Sequence, residues 1–261
     1  MNPGKKVAFY TLGCKVNQSE SQAMARQFMK LGYEVVDFEA PAAVYIINTC
    51  TVTQAADQKS RKMIRQAKKR CPQSLLVVTG CYAQSGEQAL MAMGDVDLIL
   101  DNAAKKDLPQ RVELALSAQK QNDPQSNSQN NIQSNTQNDA ADLQAIDTQK
   151  ENDLKSEKQG LFYPEIKGLH RSRATLKIQD GCRQFCSYCI IPHVRGSWQS
   201  LSEAEVLRQA KELAAEGYKE IVLLGIHLGA YGWERGEKEG LSQILEKLLL
   251  HFPQVRFRLG S

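Results

Sequence analysis

Three cysteines lie within one short segment of the second half of the chain. Cys182, Cys186 and Cys189, here called the central cysteines, are separated by three and then two residues. This spacing lets three thiolates converge on one inorganic centre, whereas structural zinc sites and electron-transfer clusters usually have four protein ligands. The segment therefore predicts an iron–sulfur cluster with one iron open to another ligand.

Three further cysteines are dispersed along the first part of the chain. Cys14, Cys50 and Cys81, here called the N-terminal cysteines, each follow a short apolar run that predicts a strand. Because the carboxyl ends of parallel strands meet at one edge of a sheet, we expect these thiols to meet there. Gly13 and Gly80 would let the backbone approach a bound cluster closely. Buried structural thiols are the alternative.

The remaining bulk properties indicate a cytoplasmic protein. No apolar run approaches the length of a membrane span, and the N-terminus lacks a secretory pattern. Disulfides are rare in the cytoplasm, so the odd number of seven cysteines favours ligands, reactive groups or buried thiols. Cys71 precedes a proline at a predicted helix end, and we expect it to be structural. The net charge of +4 is compatible with an RNA partner but does not indicate one.

The first part of the chain alternates short strands with helices. Ser74–Thr79 is a continuous apolar run, typical of a strand buried on both faces. Asn17 and Glu20 are spaced as a capping box at the start of the first helix. The alternation predicts an α/β domain over residues 1–117, built on a doubly wound parallel sheet.

Residues 118–160 have a different composition. Gln125–Asn138 contains one aliphatic side chain among Asn, Gln, Ser and Thr. Such a segment cannot bury enough apolar surface to offset the entropy of ordering. We therefore predict a disordered Asn/Gln-rich insert or linker.

Residues 161–261 are predicted to begin a second α/β domain. One strand, Ala174–Gln179, leads into the central cysteines, and another, Glu220–Leu224, leads into the glycine-rich loop that begins at Gly225. In barrels built from βα repeats, chemistry is carried by the loops after the strands. We expect the first βα units of a partial TIM-like barrel. A third strand ends near Ser261 and three strands cannot close a barrel, so we interpret the chain as a fragment or as one completed by a partner.

These motifs together resemble the radical S-adenosylmethionine methylthiotransferases. Cys182–Cys189 followed by Ile191–Gly196 is similar to the radical loop of that family. The N-terminal domain of the family is matched by Leu12–Cys14, Asn48–Cys50 and Gly80–Cys81. Two independent cysteine sets in the same order make the resemblance specific.

The resemblance implies two 4Fe–4S clusters and S-adenosyl-L-methionine as cofactors. The central cysteines would hold the cluster that cleaves S-adenosylmethionine to a 5′-deoxyadenosyl radical, and the N-terminal cysteines the cluster that carries the sulfur to be inserted. Tyr188 would lie near the adenine of S-adenosylmethionine, and Gly225 would admit its methionine part without a side-chain clash. The radical would abstract hydrogen from C2 of a modified adenine. The sequence singles out no general acid or base.

Within the family, Tyr10–Asn17 is most similar to the branch that modifies N6-threonylcarbamoyladenosine next to the tRNA anticodon. This implies tRNA as the partner, together with a sulfur donor and an electron donor such as a flavodoxin or ferredoxin. Isopentenyladenosine in tRNA and ribosomal protein S12 are the alternative substrates. Outside the family, the alternatives are a zinc protein, an iron–sulfur electron carrier and a non-catalytic metal-binding and RNA-binding protein.

Some charged and aromatic residues allow two interpretations. A basic helix is predicted from about Asp57 to Arg70, and its basic face could contact tRNA phosphates or only face solvent. The side chains that share this face are Lys62, Arg65 and Lys69. Trp198 and Trp233 could stack on a base or pack between domains. For His193 and His227 we favour loop histidines with ordinary hydrogen bonds over cluster ligands.

Overall fold

The computed structural model describes residues 5–121 and 173–260. The first of these parts contains the strands β1 (Lys6–Thr11), β2 (Glu34–Val36), β3 (Val44–Thr49), β4 (Leu75–Gly80) and β5 (Leu98–Leu100). Its helices are α1 (Lys15–Lys30), α2 (Gln54–Arg70), α3 (Cys81–Ser85), α4 (Glu87–Met91) and α5 (Leu108–Gln121). The predicted insert lies outside the described residues from position 122 onward.

The second part contains shorter strands and three helices among its described residues. Its strands are β6 (Ala174–Lys177), β7 (Gln179–Asp180), β8 (Gln199–Ser200), β9 (Glu220–Leu224) and β10 (Arg256–Gly260). Its helices are α6 (Ile191–Arg195), α7 (Glu203–Ala215) and α8 (Gly240–His251). No helix in residues 5–121 or 173–260 is long and apolar enough to cross a membrane.

The first sheet is parallel throughout, in the order β2-β1-β3-β4-β5. This is a doubly wound order whose direction reverses between β1 and β3. Every residue of β3 and β4 is buried, as expected for strands covered on both faces. Apolar side chains of α1 and α5 pack on one face of the sheet and those of α2 on the other. The predicted doubly wound sheet is confirmed.

The second sheet is also parallel, with the order β6-β9-β10. Side chains of α7 and α8 form one apolar core with it. Adjacent parallel strands joined through helices are the repeating unit of a βα barrel, so the expected partial barrel is confirmed. The short strands β7 and β8 pair antiparallel beside this sheet.

Five charged side chains are buried together where the two sheets meet. Glu20 of α1 accepts from Lys105 Nζ at 2.5 Å and from Lys177 Nζ at 2.7 Å. Arg195 Nη1 donates to Glu20 Oε1 at 2.9 Å and to Asp180 Oδ1 at 3.0 Å. Asp180 also pairs with Lys177, at 2.6 Å. We call this group the interdomain ion cluster.

The predicted capping box at Asn17 and Glu20 is wrong. Helix α1 begins at Lys15, and Cys14 takes the cap position without a side-chain hydrogen bond. Asn17 lies within the first turn and Glu20 reaches the interdomain ion cluster. Three buried cations attract this carboxylate more strongly than an exposed backbone N–H would. Ser202, by contrast, caps α7, because its side chain accepts a hydrogen bond from the Glu205 N–H.

The charges of the cluster hold both carboxylates ionised. Burial raises the pKa of Glu20, but Arg195, Lys105 and Lys177 outweigh it and hold the pKa well below its usual range. The two lysines differ in the direction of their shift. Burial lowers the pKa of Lys105, which pairs with Glu20 alone, whereas the pKa of Lys177 is raised because Asp180 and Glu20 together overcome burial.

Replacing Glu20 by Gln would leave three buried cations with one carboxylate. We expect the free energy of unfolding of the metal-free chain at pH 7 to fall by about 3–5 kcal/mol, measured by urea denaturation. Because the pKa of Glu20 is lowered on folding, its stabilisation is present above the ordinary carboxyl pKa and is lost as the pH falls. The difference between wild type and Glu20→Gln should therefore shrink below about pH 4.

Glu203→Gln is the matched control. Its carboxylate pairs with Lys247 at 2.6 Å, but both side chains are more than two-fifths exposed. Exposed pairs contribute at most about 1 kcal/mol, so we expect little change. If Glu20→Gln and Glu203→Gln lost similar amounts of unfolding free energy, the burial of Glu20 would not be what makes its ion pairs important.

Candidate metal centres at the strand ends

The strand register brings the N-terminal cysteines to one edge of the first sheet. Thr11 of β1 is level with Asn48 of β3, and Thr49 is level with Gly80 of β4. Two of the cysteines are the first residues after β3 and β4, and the other lies three residues beyond the end of β1. Their loops flank the point where the strand order reverses, which is where ligands bind in doubly wound folds.

Two glycines allow these loops to touch. Gly13 has a φ of +93°, and a Cβ there would lie 2.7 Å from Cβ and 2.8 Å from Sγ of Cys50. Gly80 has a φ of +99°, and a Cβ there would overlap the Thr49 carbonyl oxygen. The space beside both glycines is therefore filled by a neighbouring strand-end loop. Their direct effect is to fix the spacing of the cysteine loops.

The N-terminal thiols share one electrostatic environment but differ in exposure. Cys14 is exposed, whereas Cys50 and Cys81 are buried. Burial raises the pKa of the Cys50 thiol, and the neighbouring Cys81 and Cys14 contribute in the same direction. Among residues 5–121 and 173–260, no three His, Cys, Asp or Glu side chains converge closely enough to hold a metal ion.

Positive charge faces the N-terminal cysteines. Burial lowers the pKa of Lys105 even though Glu20 and Cys81 oppose it. For Arg195, the negative charges of Glu20 and Asp180, together with Cys81, outweigh burial and hold the pKa well above its usual range. The interdomain ion cluster contains three cations and two carboxylates, so one positive charge is in excess. Iron–sulfur clusters are held by anionic thiolates. The donor type, the adjacent loops and the excess charge therefore fit a thiolate-ligated cluster at this edge.

The central cysteines occupy an irregular loop between β7 and α6. The Cys182 N–H donates to the Gly196 carbonyl at 3.0 Å, and the Cys189 N–H donates to the Cys186 carbonyl at 2.9 Å. Cys186 is exposed and the other two thiols are half-buried. Tyr188 is 90% exposed, so its ring is accessible to a ligand. Backbone bonds thus hold the loop at its base while its outer surface stays accessible.

Gly225 follows β9 and lies against a buried amide. A Cβ there would come within 2.9 Å of Gln179 Oε1 and of Leu228 Cδ2. Gln179 donates to the carbonyls of Asp180 and Gly181 at 2.7 and 2.8 Å, and accepts from the His227 N–H at 2.7 Å. These bonds tie the glycine-rich loop to the start of the central cysteine loop. The role of Gly225 in admitting the methionine part of S-adenosylmethionine stays a prediction.

The two tryptophans pack against each other in the second domain. Trp198 and Trp233 meet edge to face with ring centroids 5.2 Å apart, and His227 contacts Trp233 at 5.6 Å. The Trp198 Nε1 and His227 Nδ1 atoms are buried without a hydrogen-bond partner among the described residues. These two atoms could donate to or accept from a polar ligand. His193 contacts Phe185 at 5.9 Å.

Sequence reasoning missed the polar residues that join the two centres. The spacing of Asn17 and Glu20 predicts a helix cap, and Arg195 stands out only as part of the Ile191–Gly196 motif. The sequence contains no signal for Lys177 either, because Ala174–Gln179 alternates apolar and polar residues and places this lysine on the polar face.

Two family descriptions match the chain. Residues 6–101 match the Uncharacterized protein family UPF0004, and residues 176–252 match the Radical SAM superfamily. The first match covers all five strands of the doubly wound domain and the three N-terminal cysteines. The second spans the central cysteines and Gly225.

Curated relatives match over most of the chain. The threonylcarbamoyladenosine tRNA methylthiotransferase MtaB of Aquifex aeolicus is 37% identical over 88% of this chain and 50% of its own length. The protein of the same name from Bacillus subtilis is 40% identical over 98% of this chain and 51% of its length. A tRNA-2-methylthio-N(6)-dimethylallyladenosine synthase from Trichlorobacter lovleyi is 29% identical over 92% and 50%. The chain spans about half the length of these relatives.

A solved structure has the same fold. The radical S-adenosylmethionine methyltransferase TsrM from Kitasatospora setae aligns with a TM-score of 0.55 and 14% identity, over 97% of this chain and 54% of that structure. At this identity the likeness concerns the fold alone. It supports the arrangement of a doubly wound domain followed by radical-domain βα units.

Proposed function

Because the chain belongs to the radical S-adenosylmethionine methylthiotransferase family, we propose that its protein attaches a methylthio group to C2 of N6-threonylcarbamoyladenosine in tRNA. The observation that carries the proposal is the pair of cysteine sets, one at the ends of parallel strands and one in the loop beside them. The choice of substrate is supported by the relatives named for it, which are 37% and 40% identical to the chain. The relative named for dimethylallyladenosine is 29% identical. The proposed location is the cytoplasm, where tRNA is modified.

Each cysteine set is proposed to hold a 4Fe–4S cluster, and the central one to bind S-adenosyl-L-methionine at its open iron. When bound, these groups supply one-electron chemistry and the sulfur that is transferred. The chain contributes an accessible ring at Tyr188 and the Gln179 amide that holds the Gly225 loop. It also contributes polar atoms of Trp198 and His227 that have no hydrogen-bond partner in the part of the chain that the structure describes. We propose that these side chains orient S-adenosylmethionine.

Two further partners follow from the chemistry. Reductive cleavage of a sulfonium consumes an electron, so a low-potential donor such as a flavodoxin or ferredoxin is proposed. The transferred sulfur must be replaced before another turnover, so a sulfur donor is proposed as well. Both would need access to the exposed Cys14 and Cys186 side of the loops.

Helix α2 is the proposed contact for tRNA phosphates. It carries seven basic residues and one acidic residue, a net charge of +6 against +4 for the whole chain. Lys68 pairs with Asp97 at 2.7 Å, but the exposed Lys59, Lys62, Arg65 and Lys69 have no ion pair among the described residues. Like charges at neighbouring helix positions are destabilising, which an anionic partner would relieve. The helix begins four residues after Cys50, so this basic face extends from the edge that carries the N-terminal cysteines.

The two-cluster proposal predicts the iron content. After anaerobic reconstitution we expect about eight irons per wild-type chain, and about four after alanine replacement of either cysteine set, because each 4Fe–4S cluster needs its own thiolates. Cys71→Ala is the control, since its thiol lies 3.4 Å from the Tyr45 hydroxyl and belongs to neither set. It should keep about eight irons. A wild-type chain with only four, or with zinc in place of iron, would contradict the proposal.

The substrate proposal is tested by the nucleosides of a strain that lacks the gene. Mass spectrometry of hydrolysed tRNA should show complete loss of 2-methylthio from threonylcarbamoyladenosine and no change in the isopentenyladenosine derivative. The full-length gene and its Cys71→Ala variant should restore the modification, whereas Cys182→Ala should not. Loss of methylthio from isopentenyladenosine or from ribosomal protein S12 would instead favour the alternative substrates.

Charge reversal of Lys62, Arg65 and Lys69 to Glu tests the proposed tRNA contact. If each contacts one phosphate, tRNA affinity at about 0.1 M salt should fall at least about tenfold. The slope of log affinity against log salt should decrease by about two to three. Filter binding over a salt series measures both quantities.

A control variant separates local contact from net charge. Lys30, Lys211 and Lys219 are exposed, the first two on α1 and α7 and the last in the loop before β9. Their combined replacement by Glu changes the net charge by the same amount, and we expect a much smaller effect on the slope. Equal changes of the salt slope in the two triple variants would show that tRNA binding depends only on the total charge of the protein.

A further inference from the structure

One guanidinium contacts both domains between the two cysteine sets. Arg195 ends α6, six residues after Cys189, and its side chain is 1% exposed. Its Nη2 donates to Asn17 Oδ1 at 2.5 Å, and its Nη1 donates to Glu20 at 2.9 Å and to Asp180 at 3.0 Å. The acceptors lie on α1 of the first domain and on β7 of the second. Arg195 therefore bridges the domains through three different side chains.

On one side of this bridge, Asn17 holds two N-terminal cysteine loops. Its Nδ2 donates to the carbonyls of Leu12 and Thr49, both at 2.9 Å. Leu12 lies two residues before Cys14, and Thr49 immediately precedes Cys50. Both amide protons and the amide oxygen of Asn17 are thus used at once. A displacement of Asn17 would move both loops.

On the other side, Asp180 holds the base of the central cysteine loop. Its Oδ1 accepts from the Gly181 N–H at 2.8 Å, and the next residue, Cys182, donates its N–H to the Gly196 carbonyl at 3.0 Å. Gly181 has a φ of +68°, and a Cβ there would overlap the Ser197 carbonyl oxygen. The two ends of the loop are therefore held together beside Arg195.

Charge balance does not explain why Arg195 is buried. Without it, Lys105 and Lys177 would face Glu20 and Asp180, two cations against two carboxylates. A third buried cation adds a desolvation cost, and the Arg195 Nε also lacks a partner among the described residues. What arginine adds is a planar fork that can donate to several acceptors in fixed directions. Its distinctive contribution is therefore geometric.

We propose that Arg195 is a positioning residue, which sets the central cysteine loop relative to the N-terminal cysteine loops through Asn17 and Asp180. The proposal rests on the proposed function, in which a radical site and a sulfur site act on the same nucleotide. A misplacement of about 1 Å can cost about 100-fold in rate, so such a reaction needs a fixed relation between the two sites. Lysine at position 195 would keep the charge, but its single ammonium group lacks the planar fork that donates to Asn17 and to both carboxylates.

Hydrogen exchange of the metal-free chain tests this proposal without any cluster. In Arg195→Lys, exchange in residues 12–17 and 49–52 should rise about tenfold, although these residues lie in the other domain. This factor corresponds to about 1.4 kcal/mol, in the range of one hydrogen bond to a charged group. Arg208→Lys is the control, because Arg208 contacts Glu205 and Glu212 within α7 and is 52% exposed. It should leave both segments unchanged.

Hydrogen exchange in the buried strand Leu75–Gly80 distinguishes a local loss of positioning from a general loss of stability. Unchanged exchange in residues 12–17 and 49–52 would overturn the proposal, and so would a uniform rise that includes this strand. The reciprocal variant Asn17→Ala leaves the interdomain ion cluster intact and should raise exchange at residues 194–196, even if Arg195→Lys does not fold. No change there would also overturn it. The iron content of the wild-type chain tests the proposed function independently of these exchange measurements.

Discussion

Five ionised side chains buried between two parallel sheets are the constraint on which the relation of the two candidate centres depends. Removing an ion from water costs several kcal/mol even after relaxation, and good geometry is needed to recover it. Here Glu20 is reached by three cations and Lys177 by two carboxylates. An apolar contact also joins the domains, where Val16 packs with Val222 and Leu224. The buried ion pairs add fixed donor and acceptor directions to this contact.

Helix α1 contacts both the N-terminal cysteine loops and the second domain because of its position in the chain. It follows Cys14 at the point where the strand order reverses, so its first turn lies over the edge that carries the N-terminal cysteines. From that turn Asn17 holds the strand-end loops, and one turn later Glu20 meets the second domain. A second link is provided by Asn102, which donates to the Val194 carbonyl of α6 at 2.7 Å. The same elements that present the cysteines thus also fix the domain interface.

The parts of the structure that follow local rules could be predicted from the sequence. Buried strands such as β3 and β4 are continuous apolar runs, and the position of each N-terminal cysteine after such a run was enough to place it at the sheet edge. The spacing of Asn17 and Glu20 predicted a capping box wrongly, because a capping box and a buried polar pair have the same local pattern. The deciding partner, Arg195, is 175 residues from Glu20 and 178 from Asn17. A contact between residues so far apart leaves no trace in a local sequence pattern. How closely the cysteine side chains approach one another also depends on side-chain geometry, which such a pattern does not contain.

The excess cation in the interface connects the fold with the chemistry of its thiols. Two lysines would already balance two carboxylates, so a protein selected for stability alone would gain nothing from burying a third positive charge. The excess becomes favourable when an anionic group lies within reach, and Cys81 opposes the effect of burial on both Lys105 and Arg195. A thiolate-ligated cluster beside Cys81 would supply more negative charge than one thiol. The excess charge would therefore favour the proposed cluster beside Cys81, while the planar fork of Arg195 supplies the geometry that a third lysine would not.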